Sequence, residues 1–144
     1  MTSISTTQPH ITVYRGWKGS GNYVWSPFVT KLEFRLRYDG LSYDVEAGST
    51  FKAPKGKIPY ITIAEKDHEG GDMGSSTCLA DSTLIIQALV ENGLLEDINA
   101  SLSPVDRAHD LSLRAILEDK LYFYHVRTFC HPSQERSLTD SLDI

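Results

Sequence analysis

The segment from Ser26 to Ile63 constrains the chain most, because it sets a well-marked helix between two stretches of β character. Ser26 suits an N-cap and Pro27 a first helical position, since the proline ring presets the helical φ and its missing N–H would have had no intrahelical partner. Free amides and a positive dipole end at such a helix start favour a thiolate or a carboxylate nearby, which makes Ser26 a candidate ligand contact. Val29, Leu32 and Leu36 recur at i, i+3 and i+7, one helical face, while Lys31, Glu33, Arg35 and Arg37 fall mostly on the others. Asp39-Gly40 stops the helix. Upstream, Ile11-Thr-Val-Tyr14 is β-branched and aromatic; downstream, Leu41 to Glu46 alternates strictly. A strand, a helix and a strand in this order form a parallel crossover unit.

The rest of the chain extends that unit. Ala47 to Lys57 is a loop of Gly, Ser, Pro and Lys, leading to a third strand in the apolar run from Ile58 to Ala64, where a proline is tolerated near the start. A polar connection from Glu65 to Ser76 leads to a fourth, antiparallel strand over Thr77 to Leu79. Asp81-Ser82 caps a helix whose Leu84, Ile85, Ala88 and Leu89 form a core-facing stripe, and Asn92-Gly93 ends it. Ser103-Pro104 opens a long helix running to about Thr128, broadly apolar through Leu113, Ile116, Leu117, Leu121 and Tyr124. The order predicts an α/β fold: a mixed four-stranded sheet with helices on both faces and a further long helix. Residues 1–9 and 131–144 carry no periodic apolar pattern and read as tails.

Charge and cysteine usage exclude several functions. The 144 residues carry a net charge of -5, with a pI near 5.4 and no basic run, which argues against a nucleic-acid footprint. Cys78 and Cys130 form no CxxC, so neither a redox pair nor a thiolate zinc site is indicated. Asp67, His68, Glu69 and Asp72 read as a solvated loop, and no metal is expected. Gly19-Ser-Gly21 lacks the Gly-Lys-Ser/Thr of a phosphate cradle and reads as a turn. Trp17 and Trp25 flank that loop as packing at its rim. His125 and His131 bracket Cys130, but closeness in sequence does not make a catalytic pair, and they are given no role. With no window of roughly 20 apolar residues and no secretory or transit signal at the start, a cytoplasmic protein without a membrane span is expected.

Three motifs together carry a resemblance: Ser26-Pro-Phe with its helix, Gly56-Lys-Ile-Pro-Tyr-Ile61, and Leu79-Ala-Asp-Ser-Thr-Leu-Ile-Ile86. In this order and spacing the chain resembles the thioredoxin-like N-terminal domain of the glutathione transferase superfamily, and within it the branch of the failed axon connections and metaxin proteins. The resemblance implies a β-α-β-β-β-α domain over residues 10–92. It also implies that residues 103–130 form the first helix of an all-helical C-terminal domain, which is truncated here. Glutathione is the implied ligand or substrate. Ser26 would meet its sulfur, a cis Ile58–Pro59 with Lys57 beside it would meet the cysteinyl backbone, and Asp81-Ser82 would take the γ-glutamyl group.

A serine hydroxyl and a helix N-terminus would stabilise the glutathione thiolate and so raise the nucleophile at neutral pH. Ser26 stands where redox relatives place the first cysteine of Cys-Pro-Phe/Tyr-Cys, and Val29 where they place the second. Disulfide reduction and thiol transfer through a protein cysteine are therefore excluded for this site. Two readings follow from the resemblance. The first is a binding or assembly module with little catalysis, since the family builds its electrophile pocket largely from the later helices; the second is a serine-type glutathione transferase. The broad apolar surface of the 104–128 helix adds self-association to the expected behaviour.

Overall fold

Ile11, Val13 and Arg15 alternate with Thr12 and Tyr14, and the strand they build, β1 (His10–Tyr14), lies inside a four-stranded sheet. The computed structural model describes residues 9–19, 22–64 and 76–130. The loop bearing Asp67, His68, Glu69 and Asp72, most of the Gly19 to Gly21 turn, His131, the side chain of Cys130, and the tails except Pro9 lie outside those residues. The chain divides into two units, the first reaching Asp97 and the second beginning at Ile98.

In the first unit the elements follow as β1, α1 (Pro27–Tyr38), β2 (Asp44–Glu46), β3 (Tyr60–Ala64), β4 (Ser76–Ala80) and α2 (Ser82–Glu91). The spatial order is β2-β1-β3-β4. β2 runs parallel to β1, with Val13 opposite Val45, and the β1–β3 and β3–β4 pairs are antiparallel. This is the mixed α/β sheet expected from the order of elements, in the thioredoxin-like arrangement that the resemblance implies.

Strand alternation decides what each face of the sheet meets. Ile11, Val13 and Ile61 point to one side, where they form a single buried cluster with Leu32 and Leu36 of α1 and Ile85 and Leu89 of α2. Both helices thus lie over one face, in contrast to the expected two-sided cover. The other face meets the loop between β2 and β3 instead: Ala53 packs with Tyr60 and Ala80, and Tyr14 and Ile58 close around them. Gly48 makes that approach feasible, since a Cβ there would sit 2.7 Å from Tyr14 Cβ and 2.9 Å from the Tyr60 hydroxyl, at a φ of +67°.

Helix ends account for most boundaries that differ from expectation. α1 closes with a Schellman pair, Leu41 N–H to Leu36 C=O at 2.9 Å and Gly40 N–H to Arg37 C=O at 3.1 Å. Leu41 is consumed by that closure and buried in the core, so β2 starts at Asp44 rather than Leu41. α2 ends the same way, through Leu94 to Leu89 and Gly93 to Val90. β3 begins at Tyr60, after Pro59. On α2 Ile85 and Leu89 are buried as predicted and Ala88 is half-buried, but Leu84 is exposed and Ser82 is buried in its stead. On α1, Val29, Leu32 and Leu36 are fully buried as predicted, but Glu33 and Arg35 are buried too, each held by an ion pair.

The second unit holds α3 (Pro104–Ala115), a π-helical stretch (Ile116–Leu121) and α4 (Tyr122–Cys130). Ser103 caps α3, its hydroxyl accepting from Asp106 N–H at 3.2 Å and donating to the Asp106 carboxylate at 2.7 Å. Helical dihedrals run through both junctions, at Ile116 and Tyr122, so the three segments form one continuous helix with a widened turn inside it. Leu111, Leu113, Ile116, Leu117, Leu121, Phe123 and Tyr124 are exposed along it. Among the described residues no helix is long and apolar enough to cross a membrane.

Candidate functional site

The register of the sheet gathers the predicted residues at one end. Tyr14, Tyr60 and Ala80 lie in a single row across β1, β3 and β4, with the rings of Tyr14 and Tyr60 stacked 4.3 Å apart. Pro59 directly precedes that row and is buried, the Ile58–Pro59 peptide being cis. Asp81 directly follows it. Pairing between strands therefore brings Ile58–Pro59 and Asp81–Ser82 to the same end of the sheet, with exposed Lys57 just before them.

Asp81 occupies a conformation that an L-residue rarely adopts, with φ +81° and ψ 117°. Such backbone costs about 1–3 kcal/mol and persists where surrounding structure imposes it. Here it turns the chain out of β4 straight into α2. The Asp81 side chain accepts from Thr83 N–H at 3.0 Å, and its carbonyl accepts from Ile85 N–H at 2.8 Å. Ser82 is buried beneath it as the first residue of α2. Lys31 of α1 donates to the Thr83 hydroxyl at 2.6 Å, which ties α1 to the start of α2.

Ser26 does not belong to that row and is placed by a different device. It heads α1 with extended dihedrals and a half-buried side chain. Its hydroxyl makes no capping bond to the helix, contrary to the usual role of an N-cap serine. Its carbonyl instead accepts from Thr30 N–H at 3.1 Å and from the Thr30 hydroxyl at 3.3 Å.

The segment joining β1 to Ser26 is anchored by Arg15, a residue the sequence reading passed over. Arg15 continues the inward alternation of Ile11 and Val13 and is 1% exposed. Its Nε meets the Glu33 carboxylate at 2.9 Å. Its two terminal nitrogens donate to the carbonyls of Gly19, at 2.6 Å, and Asn22, at 2.5 Å. A buried guanidinium thus fixes the loop from the core side. The signal was present in the sequence: a cation at an inward strand position requires an inward acid, and Glu33 is the first acidic residue of the chain. At the base of the loop, Gly16 N–H donates to Ala47 C=O at 2.6 Å. A Cβ on Gly16 would fall 2.6 Å from Ile58 Cδ1, so the loop lies directly against the residue before Pro59.

Two cavities lie nearby. One, of about 300 Å³, runs between Asn22–Val24 and α1 over Arg15, Thr30, Glu33 and Phe34. The other, of about 490 Å³, lies along β1 and β2 beside the His10–Asp44 pair. Neither is lined by Ser26, Lys57, Pro59 or Asp81. Arg37 edges the first, and its hydrogen bond to the Tyr43 hydroxyl, aided by Glu33, pushes its pKa up. No group of three or more metal-ligating side chains occurs among the described residues.

Comparison with known proteins bears on the fold. No curated protein matches the sequence significantly. The crystal structure of glutathione transferase Omega 2S from Trametes versicolor superposes with a TM-score of 0.59 at 20% identity, over 84% of this chain and 52% of that one. The same enzyme in complex with 2,4-dihydroxybenzophenone gives a TM-score of 0.58 at 20% identity, over 84% and 54%. This chain therefore spans about half the length of the transferases it matches, and at that identity the likeness is one of fold. The model of the family described as the glutathione S-transferase N-terminal domain matches residues 27–135, most of the chain. The stacked Tyr14–Tyr60 row, with Pro59 on one side and Asp81 on the other, is thus set in a chain that belongs to the glutathione S-transferase N-terminal domain family.

Proposed function

We propose that the end of the sheet carrying Pro59 and Asp81 binds glutathione, and that the protein serves as a binding or assembly module of the failed axon connections and metaxin type with little catalysis. The observation that carries the binding reading is Asp81: an exposed carboxylate held at positive φ at the head of α2. A carboxylate there can take the γ-glutamyl ammonium, while the first amides of α2 and the Ser82 hydroxyl can take the γ-glutamyl carboxylate. Ile58 would pair with the cysteinyl backbone, and Lys57 would face the remaining carboxylate. In this reading residues 10–92 form the glutathione-binding domain and residues 103–130 the opening helix of a helical domain, through which chains self-associate.

The free hydroxyl of Ser26 favours a second reading, a serine-type transferase. A hydroxyl that does not cap its own helix can donate to a thiolate, which lowers the thiol pKa and supplies the nucleophile for attack on an electrophile. Calorimetric titration with glutathione tests the binding shared by both readings. Saturable binding that Asp81→Ala weakens about tenfold to a hundredfold supports it, and silence at millimolar ligand overturns it. Turnover of a generic electrophile then separates the two: a rate that falls in Ser26→Ala with glutathione affinity unchanged establishes the transferase, and no turnover establishes the module.

A further inference from the structure

Two stretches of the first unit, residues 9–32 and 47–64, contain no aspartate or glutamate, although the chain has 19 acidic residues and a net charge of -5. Their cations are Arg15, Lys18, Lys31, Lys52, Lys55 and Lys57. Arg15 is neutralised by Glu33 and Lys31 is bonded to Thr83. The other four lysines are exposed. The bonds from Gly16 to Ala47 and from Ser49 N–H to the Tyr60 hydroxyl tie both stretches to one end of the sheet. In sequence Glu33, Glu46 and Glu65 flank the two stretches, Glu33 being taken up by Arg15, and Asp81 follows β4 at the same end of the sheet as Glu46. Positive charge is therefore segregated at this end of an acidic protein.

The same loops carry exposed aromatic side chains: Trp17 at 65%, Tyr23 at 74%, Trp25 at 76% and Phe51 at 100%. Trp17, Trp25 and Phe51 line neither cavity. Side chains that project in this way suit an extended surface better than a small ligand. Aromatic rings projecting among lysines are the elements that hold a protein at a bilayer interface, the rings entering the headgroup level and the ammonium groups meeting anionic lipid. Ammonium groups, unlike the guanidinium fork, select charge and not a bidentate partner, and a fluid bilayer demands no fixed complementary shape.

We propose that this end of the first unit docks on an anionic lipid bilayer. The contact needs no glutathione and stands independently of the proposed ligand. Arg15 contributes indirectly, since its bonds to the Gly19 and Asn22 carbonyls hold the loop that bears Trp17, Lys18 and Tyr23.

The test uses the full chain with vesicles of phosphatidylcholine, with and without phosphatidylserine, followed by sedimentation and tryptophan emission. The chain has two tryptophans, Trp17 and Trp25, so emission reports on this end alone. At low salt the chain should sediment with phosphatidylserine vesicles and its emission should shift to the blue, and raised salt should release it. Replacing Lys52, Lys55 and Lys57 with Gln should weaken partition about fivefold for each lysine. Phe51→Ser should weaken it too, with circular dichroism confirming that each variant is folded. Asp81→Ala should weaken glutathione binding and keep the vesicles, which separates failure of one proposal from failure of the other. Absence of binding to phosphatidylserine vesicles at low salt overturns the proposal, as does binding that neither set of substitutions weakens. RNA or an acidic protein bound while vesicles are ignored, or a dimer broken by Phe51→Ser without vesicle binding, would assign the surface to another partner and overturn it equally.

Discussion

Glu33 faces two guanidinium groups, Arg15 at 2.9 Å and Arg37 at 3.2 Å, and its pair with Arg15 is almost wholly withdrawn from water. Desolvation offsets much of the Coulombic gain of such a pair, but removing one partner strands the other. Glu33→Ala should therefore cost about 3–5 kcal/mol in urea denaturation, and the double change Arg15→Met with Glu33→Leu should recover most of it. Asp81 separates stability from binding. Asp81→Ala loses the cap of α2, about 1 kcal/mol, and leaves an L-residue at φ +81°. Asp81→Gly loses the same cap but relieves the backbone, so its midpoint should stay near the wild type while glutathione binding is weakened in both. Desolvation in β4 pushes the Cys78 thiol above its ordinary value, although the side chain is exposed. The folded chain then holds this proton more tightly than the unfolded chain does. Its contribution is present in full below the unfolded pKa and is lost as pH rises through the folded one. Cys78→Ser should flatten the alkaline fall in stability, read as the denaturation midpoint against pH.

α1 shows how far an element can be read from its residues. Leu32 is fully buried and Phe34 is 68% exposed. Leu32→Ala should lose about 2–5 kcal/mol, whereas Phe34→Ala should stay within about 0.5 kcal/mol, both measured by chemical denaturation. The apolar period of Val29, Leu32 and Leu36, with Pro27 and Gly40 as its punctuation, made this helix and its buried face legible. Burial of Glu33 and Arg35 was not legible, because each is stabilised by a partner distant in sequence: Arg15 for Glu33, and for Arg35 the Glu96 carbonyl in addition to nearby Asp39. Leu41 misled for a related reason. Its place in an alternating run suggests a strand, but its N–H and side chain are both taken by the end of α1. Leu84 misled because it sits beside Ile85 at the edge of the stripe that Ile85 and Leu89 share, and the small Ser82 takes the inward place that the apolar side chain of Leu84 suggested. At the candidate site, the motifs single out Pro59 and Asp81, which the sheet brings to one end, while Arg15 lay outside every motif and needed the strand's alternation to find it.

At the scale of the molecule, the sequence order of elements was enough for the sheet, but the loop after β2 carries no helical period and takes the place of a helix over the second face. The second unit places Leu113, Leu117 and Leu121 in water, each forgoing part of the roughly 1.5–3 kcal/mol that full burial would give. Weight-average mass in sedimentation should accordingly rise with protein concentration, and Leu117→Glu should suppress the rise; a constant monomer mass would remove self-association from the account. The widened turn at Ile116–Leu121 bears on this surface in another way. A π-helical turn accommodates one residue more than the α-helical path needs, so it acts as a single-residue insertion retained inside a helix. One residue corresponds to about 100° of rotation. The side chains of residues 122–128 are therefore out of phase with those of Pro104–Ala115, and one helix addresses two directions. Deleting a single residue from that turn would bring both halves into one stripe, merging two separate faces without altering the composition of either.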